Sequence, residues 1–231
     1  MGAGQRIDFM SYVRALPSLV RHPSIIAMPL LAAVIDMVVS QFTGLFTDPL
    51  GGFGSGIFGL IVQIIYLFAF GIAVIQANNI QRGYRGGFDD AWEEGKRKAS
   101  GIILAAIGFQ FLVWVPAYMG SIVGNTISII LQLIAYFFLI LTIPAAAIGG
   151  LPGGLAISGS VRAVRSNPLA CIVLAVIFVA LWVYVPIYVS QFFTNATALN
   201  LTIAVVRAIL LAYLAFPFSA TYDDIAFHTR R

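Results

Sequence analysis

Two ionisable side chains interrupt apolar runs of this 231-residue chain: Asp36 within residues 30–40 and Arg207 within residues 199–218. An uncompensated charge at mid-bilayer costs at least about 2.5–3.5 kcal/mol, so such residues mark an ion pair, a solute route or a binding site. Asp36 follows Ser24 by 12 residues, and Arg207 precedes Phe218 by 11. At about 1.5 Å per helical residue the two depths differ by roughly 1.5 Å. The spacing predicts an Asp36–Arg207 pair that closes a helical bundle. Gln63 and Gln132 fall at a similar depth in two further apolar runs, and Gln110 offers another amide in a third. Together they predict a polar girdle. Its chemistry is either the lining of a route or site for a polar or anionic group, or interhelical hydrogen bonding worth about 0.6 kcal/mol per amide.

The other reactive residue types lack partners at the spacing their chemistry needs. Gly54-Ser55-Gly56-Ile57-Phe58-Gly59 matches the glycine spacing of a dinucleotide fingerprint, but no strand precedes it and no acid follows about 20 residues on. Its glycines read as points of close helix contact. His22 and His228 are far apart in the chain and lack metal-ligand spacing. Cys171, the single cysteine, opens an apolar run with no base beside it. Ser158 and Ser160 have no histidine to activate them. Asp89, Asp90, Glu93 and Glu94 precede Lys96-Arg97-Lys98, the charge order of a dipole-matched helix. The sequence therefore assigns no catalytic residue, no metal and no cofactor.

What must position the polar residues is a set of membrane-spanning helices. The chain is 60% apolar and 10% charged, against roughly 45–50% and 25% in a soluble domain. This composition excludes a soluble globular domain, a disordered chain and a disulfide scaffold. A helix crosses the hydrocarbon with about 20 apolar residues. Six segments reach that length: 24–46, 56–77, 100–119, 122–143, 169–189 and 199–218. Residues 57–70 are apolar on every face, which selects helices over the alternating strands of a β-barrel. The opening 20 residues, broken by Arg6, Asp8 and Arg14, do not read as a signal peptide. The fold class expected is an all-α, six-helix integral membrane bundle forming a single domain over residues 1–231.

Charge sets the orientation. Of the 13 Lys and Arg residues, only Arg207 lies inside a span, and the other 12 lie before span 1, between spans 2 and 3, between spans 4 and 5, or after span 6. The positive-inside rule then predicts a multi-pass protein of the cell inner (plasma) membrane with both termini cytoplasmic. The chain also reads as three pseudo-repeated hairpins, approximately residues 5–79, 80–150 and 151–231. Each has a short amphipathic segment, a basic cluster and two spans. Trp114-Val115-Pro116-Ala117-Tyr118 matches Tyr184-Val185-Pro186-Ile187-Tyr188 at an offset of 70. Ile7, Met10, Val13 and Leu16 share a helical face opposite Arg6, Ser11 and Arg14, and Phe88 and Trp92 share another. These segments are expected either along the cytoplasmic headgroups or packed on the bundle end. Arg82, Arg85, Lys96, Arg97 and Lys98 form the cluster expected to meet anionic lipids. Bases confined to helix ends form no surface for nucleic acid.

The basic-x-Pro step Arg21-His22-Pro23, the run Gly86-Gly87-Phe88-Asp89-Asp90-Ala91-Trp92 and the ending Pro217-Phe218-Ser219-Ala220-Thr221-Tyr222-Asp223-Asp224-Ile225 resemble a bacterial group. It comprises the six-helix membrane domains attached to some glycerophosphodiester phosphodiesterases and related free-standing membrane proteins. The resemblance implies the six-span topology. It carries over no catalytic residue, because the enzymatic domain of those proteins is separate. Asp223-Asp224-Ile225 departs from the Tyr-Asp-Leu-Arg ending usual in the group. The expectation for function is a non-enzymatic accessory or scaffold subunit that packs against partner membrane proteins or a second copy of itself. The alternatives are a small permease or channel lined by the girdle, and a lipid-binding or lipid-sensing protein.

Overall fold

A residue that precedes proline is pushed out of helical geometry, and this sets the first corner of the fold. His22, before Pro23, sits at φ −127° and ψ 66°. Helix α1 (Phe9–Arg21) ends there, a 3-10 turn (Pro23–Ile26) follows, and the chain continues as α2 (Ala27–Leu45). The segment Pro23–Val39 leaves α1 at 98°. The structure, a computed structural model, describes residues 9–45, 53–84, 87–118, 124–193 and 195–229. Arg6, Ile7, Arg85, Arg230 and Arg231 lie outside the described residues.

The chain then forms α3 (Phe53–Gln81), α4 (Phe88–Arg97), α5 (Ala99–Tyr118), α6 (Asn125–Leu139), α7 (Thr142–Ala147) and α8 (Gly154–Ser166). Helix α9 (Pro168–Val179) passes through a π-helical turn (Ala180–Tyr184) into α10 (Val185–Ser190), and α11 (Ala196–Thr229) completes the fold. Among the described residues there is no strand. Among the described residues, five stretches are long and apolar enough to cross a membrane: Phe58–Gln81, Ala99–Pro116, Asn125–Ala147, Pro168–Ser190 and Thr197–Ala226. The bent pair of α1 with Pro23–Val39 makes a sixth if it is counted as one. The expected span 24–46 is the second arm of that pair, and residue 46 lies outside the described residues.

Small side chains decide the centre. Ala69, Ala73 and Ala77 of α3 and Ala208, Ala212 and Ala215 of α11 are buried, so the two backbones approach closely, as small residues allow between apolar helices. Helices α2, α3 and α11 pack mutually, α5 packs on α3 and α6, and α9 and α10 pack on α11. Half of the spans in α3 and α11 is buried, against 22%, 28% and 24% in the other three. The spans are therefore unequal in burial. Helix α4, with Asp89 and Asp90 in its first turn and Lys96 and Arg97 in its last, matches the helix dipole. It seats on α3 through Ala91 and Gly95, where a Cβ on Gly95 would overlap the side chain of Ile72.

Helix α1 presents two unlike faces. Ser11, Ala15 and Leu19 face the bundle, and the Tyr213 hydroxyl donates to the Tyr12 carbonyl at 3.1 Å. Phe9, Val13, Leu16 and Val20 point outward and are exposed. Ser11, expected on the polar side of α1, is instead covered by protein, because the bundle takes the small-residue face.

Two helix breaks are anchored. Between α6 and α7 the Ser160 hydroxyl, fully buried, donates to the Phe138 carbonyl at 2.8 Å and accepts from the Leu141 N–H at 3.1 Å. It satisfies backbone groups that the break exposes. The π turn precedes Pro186, whose ring lacks an N–H and crowds the carbonyl four residues back. That carbonyl belongs to Trp182, in the middle of the turn.

Candidate functional site

On α2, Pro29, Ala32, Ala33 and Asp36 follow one another on the face turned to the bundle, and the first three are buried. Asp36 and Arg207 meet there, with the Arg207 Nη1 4.0 Å from the Asp36 Oδ2. This separation is outside hydrogen-bond range. The same oxygen accepts a hydrogen bond from the Tyr66 hydroxyl at 3.2 Å. Arg207 also lies over the Trp182 ring, 5.5 Å from its centre, a cation–π arrangement. Its Nε is buried and has no hydrogen-bond partner among the described residues.

These contacts place both charges on inward faces, yet the side chains remain 32% (Asp36) and 36% (Arg207) exposed. Further out on the same faces, Gln63 stands one turn before Tyr66 on α3, Asn200 stands two turns before Arg207 on α11, and both are exposed.

Toward the basic end of the bundle the packing closes on aromatic rings. Trp182 meets Tyr66 edge-on and stacks on Phe178, with centroids 6.4 Å and 5.9 Å apart. Phe178 meets Phe218 at 6.1 Å, and Phe218 meets Phe70 at 5.2 Å. Beyond this layer lies a second set of polar groups. The Gln76 amide donates to the Ser24 hydroxyl at 2.8 Å, and the Gln81 amide donates to the Phe216 carbonyl at 3.0 Å. The Ser219 hydroxyl donates to the Gln81 carbonyl oxygen at 3.2 Å. Gln76, Asn78 and Ser219 are buried.

The girdle expected from sequence is rearranged. Asp36 and Arg207 come together, but Gln63 and Gln132 are not hydrogen-bonded to them among the described residues. Gln63 is set outward of the pair by about one helical turn, roughly 5 Å. Gln132 donates to Ser128 in its own helix at 3.3 Å, and Ser128 donates to the Pro116 carbonyl at 2.7 Å. Tyr66 and Trp182 fill the places expected for the amides. Their signal in the sequence is faint: Tyr66 is one turn from Gln63, and Trp182 is four residues before Pro186.

The basic cluster is largely neutralised within the protein. Arg82 grips Asp223 with contacts of 2.9 and 3.2 Å, Lys96 pairs with Glu93 at 2.6 Å, and Lys98 pairs with Glu94 at 2.6 Å. Lys98 also donates to the Ala147 carbonyl at 2.7 Å. Arg97 is exposed, and Arg85 lies outside the described residues. Exposed cations without an ion pair among the described residues also include Arg14 and Arg21 of α1 and Arg162 and Arg165 of α8.

For chemistry, Cys171 is buried, and no group of three or more His, Cys, Asp or Glu side chains that could hold a metal occurs among the described residues. Ser160 is engaged at the α6–α7 break. What the Asp36–Arg207 arrangement offers is a pair of opposite charges beside aromatic rings, each side chain about a third exposed. No family model, no curated protein and no solved structure matches the chain.

Proposed function

We propose that the protein is a small, non-enzymatic permease of the cell inner (plasma) membrane, with a polar route along the facing sides of α3 and α11. The observation that carries this reading is the exposure of Asp36 and Arg207 on faces turned to the bundle interior. A pair that served stability alone would gain most from close, hydrogen-bonded contact. This one is 4.0 Å apart, with about a third of each side chain exposed. Gln63 and Asn200 form its approach, the Phe70, Phe178 and Phe218 layer closes it, and Gln81 and Ser219 lie beyond. The order of polar site, aromatic closure and polar site is that of a route with one gate shut.

The basic residues orient this route. With both termini cytoplasmic, the open end of the pair faces outward and the aromatic layer separates it from the cytoplasm. Helix α1 then lies along the inner headgroups, with Phe9, Val13, Leu16 and Val20 in lipid and Arg14 and Arg21 near phosphates. The experiment is solute entry into vesicles carrying the purified chain, followed by isosmotic swelling with small polar solutes. Joint replacement Phe70→Ala and Phe218→Ala should speed entry at least several-fold over the unmodified chain. Vesicles that remain equally tight would show that the two polar sets are not connected.

A second reading, the accessory subunit, rests on a separate observation. The outer faces of α5 and α6 leave Phe111, Trp114, Ile127, Ile130 and Leu133 exposed, a surface wide enough for a partner helix as well as for lipid. Mild solubilisation followed by native mass measurement tests it: a stoichiometric partner favours the subunit, and a lone chain favours the permease.

A further inference from the structure

The charge inventory of the site restricts what it can take. Resting on the permease reading, we propose that the site accepts a small organic monocarboxylate together with one proton. Asp36 and Arg207 sum to zero. Added alone, an anion would leave a net negative charge among apolar helices, where uncompensated charge is strongly disfavoured. One proton taken from water by the Asp36 carboxylate restores neutrality: the carboxylate becomes a carboxylic acid, and Arg207 exchanges one anionic partner for another. No bond other than this O–H forms, and none breaks in the ligand.

Three observations fit this exchange. At 4.0 Å the guanidinium is not hydrogen-bonded to Asp36, so a new partner displaces a long contact. The Tyr66 hydroxyl donates to Asp36 and can turn to a neutral carboxyl oxygen or to the incoming anion. The rings beside the pair, Tyr66 and Trp182, are aromatic, which suits an apolar body behind the carboxylate. A phosphate dianion would leave a net charge even with Asp36 protonated. A zwitterionic amino acid would need the two charges farther apart than they stand. The titratable and charged groups that face Asp36 from the helices packed on it are Tyr66 from α3 and Arg207 from α11, among the described residues.

Benzoate binding to the purified full-length chain, read by tryptophan fluorescence and by thermal shift, tests the proposal. Affinity should fall as the pH rises, approaching tenfold per pH unit, the signature of one proton taken up with the ligand. Asp36→Asn, which mimics the protonated acid, should bind benzoate with no such slope. The double variant Asp36→Asn/Arg207→Gln carries no charge to leave unpaired, so it should fold, and it should lose binding at least tenfold. Inorganic phosphate should bind at least tenfold more weakly than benzoate at about pH 8, where it is mostly the dianion. The proposal is overturned by absence of benzoate binding to the unmodified chain at about pH 5.5, by a flat pH profile, or by full binding in the double variant. If benzoate fails while the aromatic layer still controls solute entry, the ligand class falls and the permease reading stands.

Discussion

Asp36 and Arg207 face each other across 4.0 Å, on the inward sides of α2 and α11, with about a third of each side chain exposed. Tyr66 and Trp182 hold the two ends, Tyr66 by a hydrogen bond to the carboxylate and Trp182 by its ring beneath the guanidinium. Each charge thus has a neutral anchor as well as its counter-charge. That combination allows the pair to part without either residue losing its place.

Removing one member should cost more than removing both. Breaking a buried pair costs about 3–5 kcal/mol, and exposure of a third of each side chain lowers the expectation to about 1–3 kcal/mol. Arg207→Gln and Asp36→Asn should each lower the melting temperature in detergent, and the double variant should recover most of the loss. Additive losses would mean that the two charges do not interact.

Ser160 fastens the α6–α7 break through two hydrogen bonds, to Phe138 and from Leu141. Ser160→Ala leaves a buried N–H and a buried carbonyl short of a partner, at about 1–3 kcal/mol. Thermal melts should show that loss. Ser158→Ala, at an exposed hydroxyl bonded only to the Leu155 carbonyl three residues before it, should leave stability within about 0.5 kcal/mol.

Gly149 cannot take a side chain. An added Cβ would overlap the Tyr222 hydroxyl and come within 2.6 Å of the Ala145 carbonyl oxygen. Gly149→Ala should destabilise by about 1–3 kcal/mol. Tyr222→Phe should restore only part of this, because the Ala145 carbonyl stays in place, and the melting temperatures of the two single variants and the double variant check it.

The paired cations should matter little to stability. Arg82 and Asp223 are 52% and 38% exposed, so Arg82→Gln should cost no more than about 1 kcal/mol. Binding to vesicles with anionic lipid should weaken more on replacement of Arg14 and Arg21, which have no ion pair among the described residues, than on replacement of Lys96 and Lys98. Flotation assays with the four variants measure this directly.

The shared depth of Asp36 and Arg207 is legible in the sequence, because both can be counted from helix ends that charge and proline mark. The apolar stretches are legible for the same reason. Tyr66 and Trp182 are not, since aromatic residues recur through every span and nothing in their spacing sets two of them apart. Gln63 is exposed while Tyr66, one turn on, is buried and meets Asp36; depth along a helix does not say which residue of a turn faces the pair. Gln132 misleads because an amide in an apolar helix can find a partner one turn away, here Ser128. The expected span 56–77 stops short of the helix, which runs on to Gln81. Gln76 and Asn78 are buried there, because the Ser24 and Ser219 hydroxyls and the Phe216 carbonyl meet the amides of this run. The 98° turn at His22 follows from Pro23, but its size depends on α1 finding α11, a contact between residues about 200 positions apart.

The most direct measurement of the proposed route is thiol accessibility along one face of α3. In a Cys171→Ala background, single cysteines at Gln63, Tyr66, Phe70 and Ala73 would be exposed in intact cells to a charged, membrane-impermeant thiol reagent. The account expects rapid labelling at position 63, slower labelling at 66, and none at 70 or 73 until Phe218→Ala opens the aromatic layer. No labelling at position 63, or equal labelling at all four before the layer is opened, would contradict an outward-open site closed by Phe70 and Phe218.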